Sequence, residues 1–203
     1  KNYYAWKSRC DLPEDNYEFG DDGKIVNGII EKEKGIYYYT FGQVGKTVGL
    51  TQIGEDYYFV DYDGKCATGT KHVWKTNCDL PEGEYEFGSD GKMLNGIVEK
   101  PDGTYYYTYG KVGKVVGLIQ VENDYYFVEY SGKCAVGAKY VWKTNCDLPV
   151  GNYEFGADAK LLDCIVEKED GIYYYVKGRA NKGSKTVGLT KIGEDYYFVD
   201  YDG

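Results

Sequence analysis

The sequence predicts an all-β fold, a β-solenoid of stacked β-hairpins with about three hairpins in each 68-residue period, and three observations carry that prediction. The first is composition: 25 tyrosines and 28 glycines in 203 residues combine strand-forming aromatics with turn-forming glycine. The second is self-similarity, because Tyr17, Tyr85 and Tyr153 each open the string YEFG, and residues 17–84 and 85–152 agree at about two thirds of positions. The third is that no stretch sustains a helical apolar period over about eleven residues. A lone hairpin of about 20 residues is marginal in water, so such units must stack and cover one another's aromatic faces.

Taken in order, residues 1–16 read as the end of a truncated long unit that carries Trp6 and Cys10. Residues 17–84 form the first period, 85–152 the second, and 153–203 a truncated third, all within a single repeat array over residues 1–203. The first period divides into YEFGDDGKIVNGIIEKEKG from Tyr17, IYYYTFGQVGKTVGLTQI from Ile36, and a long Cys- and Trp-bearing unit from Gly54. Each unit reads as an aromatic strand, a turn rich in Gly and Asp, and a short second strand ending near Gly, the grammar of a β-hairpin. Across residues 56–62, alternation sends Tyr57, Phe59 and Asp61 to one face and Tyr58, Val60 and Tyr62 to the other. Both faces carry aromatics, which suits a strand covered on two sides. Asp22-Gly23, Asp63-Gly64 and Asn95-Gly96 mark the turns. The third period departs twice: VKGRANKGSK widens one turn by three residues, and Asp163-Cys164 replaces the Asn-Gly of the earlier copies.

Charge and motif content narrow the function. The net charge of −9, with both signs interspersed and no basic run, argues against nucleic acid and anionic lipid as partners. No apolar run reaches about 18 residues, which argues against membrane insertion. The repeats cut at both ends, with no leader ahead of them, predict that the chain is part of something longer. Cys66/Cys78 and Cys134/Cys146 share one spacing in equivalent units, so two disulfides in an oxidising compartment are expected, leaving Cys10 and Cys164 over. Zinc-type spacings are missing and His72 is the sole histidine, so no metal is expected. Tyr4 and Tyr140 stand at the place of His72 in the other copies, which removes the imidazole that nucleophilic triads need. The carboxylates, Glu14, Asp15, Asp21, Asp22, Glu82, Glu84 and Asp90 among them, fall in turn-like stretches without an evident buried partner. Asp61-Tyr62-Asp63-Gly64 echoes a calcium loop, but Glu129-Tyr130-Ser131-Gly132 replaces it in the next copy and turn chemistry accounts for both. The expectation is a protein without enzymatic activity and without a cofactor.

The string YYFVDYDGKCATG, from Tyr57 to Gly69, resembles the cell-wall-binding and the choline- or glucan-binding repeats of bacterial surface proteins, and is similar also to the repeat domains of clostridial toxins. The resemblance implies a superhelix in which each hairpin is rotated by about a third of a turn, bringing Trp6, Trp74 and Trp142 into one row. It departs from choline-binding repeats where those close each hairpin with Gly-Trp: here Gly28-Ile29, Gly49-Leu50 and Gly69-Thr70 stand instead, so the aromatic cage for a quaternary ammonium is not carried over. What remains implied is an extracellular module, secreted or attached to a bacterial surface, that binds cell-wall or host polysaccharide multivalently. Trp74, Trp142, Tyr58 and Tyr126 are the candidate stacking residues. The alternative is a structural stalk or adhesin spacer with no ligand of its own.

Overall fold

The structure is a computed structural model that describes residues 1–180 and 187–203, so the tip of the widened turn in the third period lies outside the described residues. Its contacts divide it into two compact units, residues 1–94 with 109–111, and residues 95–108 with 112–203. Each unit is a succession of antiparallel hairpins, and no helix occurs among the described residues. In chain order β1 (Asn2–Tyr4) pairs with β2 (Asn16–Glu18), β3 (Gly28–Lys32) with β4 (Gly35–Tyr39), β5 (Gly49–Ile53) with β6 (Asp56–Val60), and β7 (Gly69–Val73) with β8 (Gly83–Phe87). Next, β9 (Gly96–Lys100) pairs with β10 (Gly103–Thr108), followed in the chain by the short β11 (Lys111–Val112). Then β12 (Gly117–Val121) pairs with β13 (Asp124–Val128), and β14 (Gly137–Val141) with β15 (Gly151–Phe155). Finally β16 (Cys164–Lys168) pairs with β17 (Gly171–Val176), which also pairs with β18 (Arg179–Ala180), and β19 (Gly188–Ile192) pairs with β20 (Asp195–Val199).

The hairpins are phased differently from the expected grammar. Each aromatic strand forms its ladder with the segment before it, through two-residue turns such as Gly54-Glu55 and Pro101-Asp102 or, at β2, β8 and β15, across a long loop. With the segment after their Gly-rich turn β2, β6 and β8 share a single bridge, Phe19 with Ile25, Val60 with Cys66 and Phe87 with Met93. The reason is a glycine three residues beyond each bridge, Gly28, Gly69 and Gly96, whose positive φ turns the chain into the next hairpin before a second rung can form. Asn95-Gly96 therefore opens β9 instead of making a hairpin turn.

Alternation places the core as expected. Tyr57 and Phe59 of β6 pack with Leu50, Val73, Tyr85, Phe87 and Met93, while Tyr58 and Val60 pack with Ile36 and Cys66 on the other side. The second copy does the same with Tyr125 and Phe127 against Tyr126 and Val128. A half-buried polar triad recurs beside these clusters: Lys32 Nζ donates to Glu18 and to the Tyr39 hydroxyl, which itself donates to Glu18 at 2.7 Å. Lys168, Glu154 and Tyr175 repeat it. The hydrogen bond from Lys32 holds the Glu18 carboxyl below the usual range. At Glu154 burial opposes ionisation, but the bonds from Lys168 and Tyr175 outweigh it and the carboxyl is again lowered.

The disulfide expectation is corrected: all six cysteines are free thiols. Cys66 and Cys78 belong to separate clusters, the former among Ile36, Tyr58 and Val60, the latter against Leu50, Phe59 and Val73. Cys134 and Cys146 are divided in the same way. Equal spacing reflects equal packing duties in two copies. Burial pushes the Cys66 and Cys134 thiols up to about 12, so both are inert at neutral pH.

Candidate functional site

Trp74 and Trp142 each sit where a strand hands over to a long loop, and the handover is tightly fixed. Val73, the last residue of β7, is fully buried. Beyond the tryptophan, the Leu50 amide donates to the Lys75 carbonyl at 2.8 Å, the Asn77 amide donates back to the Leu50 carbonyl at 2.7 Å, and Asn77 Nδ2 donates to the Val48 carbonyl. Lys143, Asn145 and Leu118 repeat this clamp around Trp142. A side chain on Gly49 or Gly117 would come within 2.8 Å of the lysine carbonyl, so this crossing requires glycine. At the far end of the loop, the hydroxyls of Tyr85 and Tyr153 donate to the carbonyls of Pro81 and Pro149 at 2.6 Å, an anchor that the strings YEFG and CDLP do not announce.

The second wall comes from the turn after β6 or β13. Asp61 Oδ1 accepts the amides of Asp63 and Lys65 at 2.9 and 2.8 Å, which makes 61–65 a carboxylate-capped turn and lifts Tyr62 out of the pleat. Tyr62 then lies flat on Trp74, centroids 5.4 Å apart and planes 17° apart, while Phe59 meets the same indole edge-on at 5.9 Å. Tyr130, Trp142 and Phe127 repeat the arrangement, with the stack at 5.3 Å and 16° and the edge contact at 6.2 Å. Trp74 and Trp142 remain 41% and 43% exposed, and Tyr62 and Tyr130 remain 74% and 78% exposed. Each copy thus shows solvent a rigid flat aromatic surface next to a carboxylate.

The two surfaces differ at that carboxylate. Asp61 is occupied by its own turn, whereas Glu129 leaves that work to Ser131, whose hydroxyl accepts the Lys133 amide, and pairs instead with Lys139 at 3.1 Å. Around Trp142 the side chains of Phe127, Glu129, Tyr130 and Ser131 enclose an open hollow.

Of the predicted stacking residues, the structure brings Trp74 and Trp142 to the surface and corrects the other two. Tyr58 and Tyr126 lie within core clusters, 4% and 5% exposed, because the strand is covered on both sides and ends at Val60 or Val128. The outward rings are their neighbours Tyr62, which the alternation rule assigned to the same face as Tyr58, and Tyr130. In the first copy the signal that separates them is Asp61, whose side chain accepts the Asp63 and Lys65 amides, while in the second Ser131 accepts the Lys133 amide. Trp6 is exposed, as are His72 and its counterparts Tyr4 and Tyr140. Leu50, at a position where choline-binding repeats carry tryptophan, is fully buried. Among the described residues no group of three or more His, Cys, Asp or Glu side chains is arranged to hold a metal ion.

No family model matches the chain. It is 24% identical over 131 residues to glucosyltransferase-S of Streptococcus mutans, a match covering 62% of this chain and 8% of that protein. Its fold is similar to that of CbpJ from Streptococcus pneumoniae, at 19% identity and a TM-score of 0.45, covering 93% of this chain and 61% of the other. It is similar also to choline binding protein F from Streptococcus pneumoniae, solved in the presence of a peptidoglycan analogue, at 20% identity and a TM-score of 0.41, covering 97% of this chain and 63% of the other. The chain therefore spans a small part of its sequence relative and under two thirds of either solved structure. These proteins are what the chain is similar to, and the string YYFVDYDGKCATG is likewise similar to bacterial cell-wall-, choline- or glucan-binding repeats.

Proposed function

We propose that the chain is a non-enzymatic glycan-binding module, a solenoid whose 68-residue periods each present one stacking surface to a bacterial cell-wall or glucan-type polysaccharide outside the cell. The observation that carries the reading is the repeated ring stack, Tyr62 on Trp74 and Tyr130 on Trp142, held by the same backbone clamp in both copies. Exposing two large aromatics side by side is costly for a surface with no use for them. Flat rings suit the apolar C–H faces of a pyranose, and Glu129, Ser131 or Lys139 can hydrogen-bond its hydroxyls. Weak equivalent sites on one chain gain avidity on a polymer without any catalytic group.

The test is calorimetry and pull-down with purified peptidoglycan and with dextran. The parent is expected to bind a polymer more tightly than the matching short oligosaccharide, and Trp142→Ala, folded by circular dichroism, to weaken single-site binding by about tenfold or more. Unchanged binding by the folded variant removes Trp142 from the site. If neither polymer binds the parent, the stalk or spacer reading takes its place.

A further inference from the structure

The first copy leaves a lysine without the partner that its counterpart has in the second. Lys139 pairs with Glu129 at 3.1 Å, an arrangement open to it because Ser131 caps the turn and sets the Glu129 carboxylate free. In the first copy the same three positions read Lys71, Asp61 and Asp63. Asp61 is one methylene shorter, and its Oδ1 already accepts the Asp63 and Lys65 amides, so the carboxylate stays with its own turn. Among the described residues, the Lys71 ammonium finds neither an ion-pair nor a hydrogen-bond partner.

Lys71 stands at a hollow of about 350 Å³ whose wall also holds Phe59, Asp61, Lys65, Ala67 and Thr68. Among the described residues Asp61 is the one carboxylate in that wall, against two ammonium groups. Lys65, whose stem crosses Gly35, is as unpaired at its ammonium as Lys71. The Thr68 hydroxyl is without a partner too, and Val136 replaces it in the second copy. The wall runs into the aromatic surface, because Phe59 belongs to both and meets Trp74 edge-on at 5.9 Å. The first copy thus sets unpaired donors beside a face that suits a sugar ring. The second copy shows what such a lysine takes: a carboxylate.

We propose that the first copy is a subsite for an acidic sugar, a glycan unit that carries a carboxylate on its ring, while the second copy takes neutral sugar; the inference rests on the glycan-binding reading of the ring stacks. The ligand carboxylate sits on Lys71 as Glu129 sits on Lys139, the Thr68 hydroxyl donates to it, and the sugar ring lies against Tyr62 and Trp74. In the second copy Glu129 already fills that place, so an incoming carboxylate meets like charge instead of an open ammonium. Two positions set the selectivity. Residue 61 or 129 does so by reach, and residue 63 or 131 by deciding which side chain caps the turn.

Calorimetry with a short oligogalacturonate, with its methyl ester and with a glycerol-phosphate oligomer tests it. The parent is expected to take one oligogalacturonate per chain, about fivefold more tightly than the ester, with the difference shrinking as salt rises. Lys71→Gln, folded by circular dichroism, should bring acid and ester to equal affinity. Glu129→Gln, which frees Lys139, should add a second acid-binding site. A parent that binds acid and ester alike, a folded Lys71→Gln that keeps the preference, a folded Glu129→Gln without the second site, or binding of the glycerol-phosphate oligomer in place of oligogalacturonate overturns the proposal. If dextran or peptidoglycan binds the parent while neither galacturonate does, this inference falls alone; if those polymers fail as well, the glycan-binding reading falls with it.

Discussion

Leucine recurs at one position in three copies with two opposite environments, and replacing it by alanine turns that contrast into a measurement. Leu118 is fully buried among Phe127, Val141, Tyr153 and Phe155, while its backbone makes both clamp hydrogen bonds. Leu118→Ala keeps the backbone bonds and deletes three buried carbons, so the loss is the transfer and cavity cost alone, about 3 kcal/mol. Leu189→Ala makes the same chemical change at an exposed position and should stay within about 0.5 kcal/mol. Urea denaturation followed by circular dichroism compares the two against the parent. Midpoints should separate without a change in slope, since neither variant alters the surface exposed on unfolding by much. Equal losses from both variants, or less than about 1 kcal/mol from Leu118→Ala, would refute the argument that each hairpin is stabilised by the element covering its leucine.

Two further outcomes follow from the thiols and the triads. A thiol reagent should label exposed Cys10 and Cys164 within the native state and reach Cys66 and Cys134 only on unfolding; nonreducing peptide mapping that found Cys66 bonded to Cys78 would contradict the packing described. The lowered carboxyl of Glu154 implies stability that is present above the ordinary glutamate pKa and lost as pH falls through the lower folded value. Glu154→Gln should therefore be less stable than the parent at pH 7 and converge on it in acid, and a constant difference across the acid range would show that the triad's charge is not what matters.

Much of the fold was legible because it rests on alternation and repetition. The split of Tyr57 and Phe59 from Tyr58 and Val60 follows from the pleat alone. The phase of the hairpins did not follow, because Asp-Gly and Asn-Gly dipeptides mark positive φ without saying which flanking segments pair. That choice is made by Gly28, Gly69 and Gly96, whose role shows only when the next ladder is known. At the site, the tryptophans stood out by rarity, but the choice between Tyr58 and Tyr62 turned on where β6 ends, a matter of two hydrogen bonds to Asp61. The cysteines misled for a similar reason: spacing along the chain says nothing of whether two side chains point into the same cluster.

An aromatic strand that gives alternate residues to two neighbouring clusters acts as a party wall, and this shapes how such a chain can change length. Neither cluster gains volume when units are added, because every new wall brings the far side of the next room with it. Misaligned recombination between two copies, offset by one whole period, would join a strand to the partner it already expects and leave no seam. A join offset by any other number of residues would give two clusters the same wall face. Selection on length would then act in whole periods, and the agreement of residues 17–84 and 85–152 at about two thirds of positions is the mark such exchange would leave.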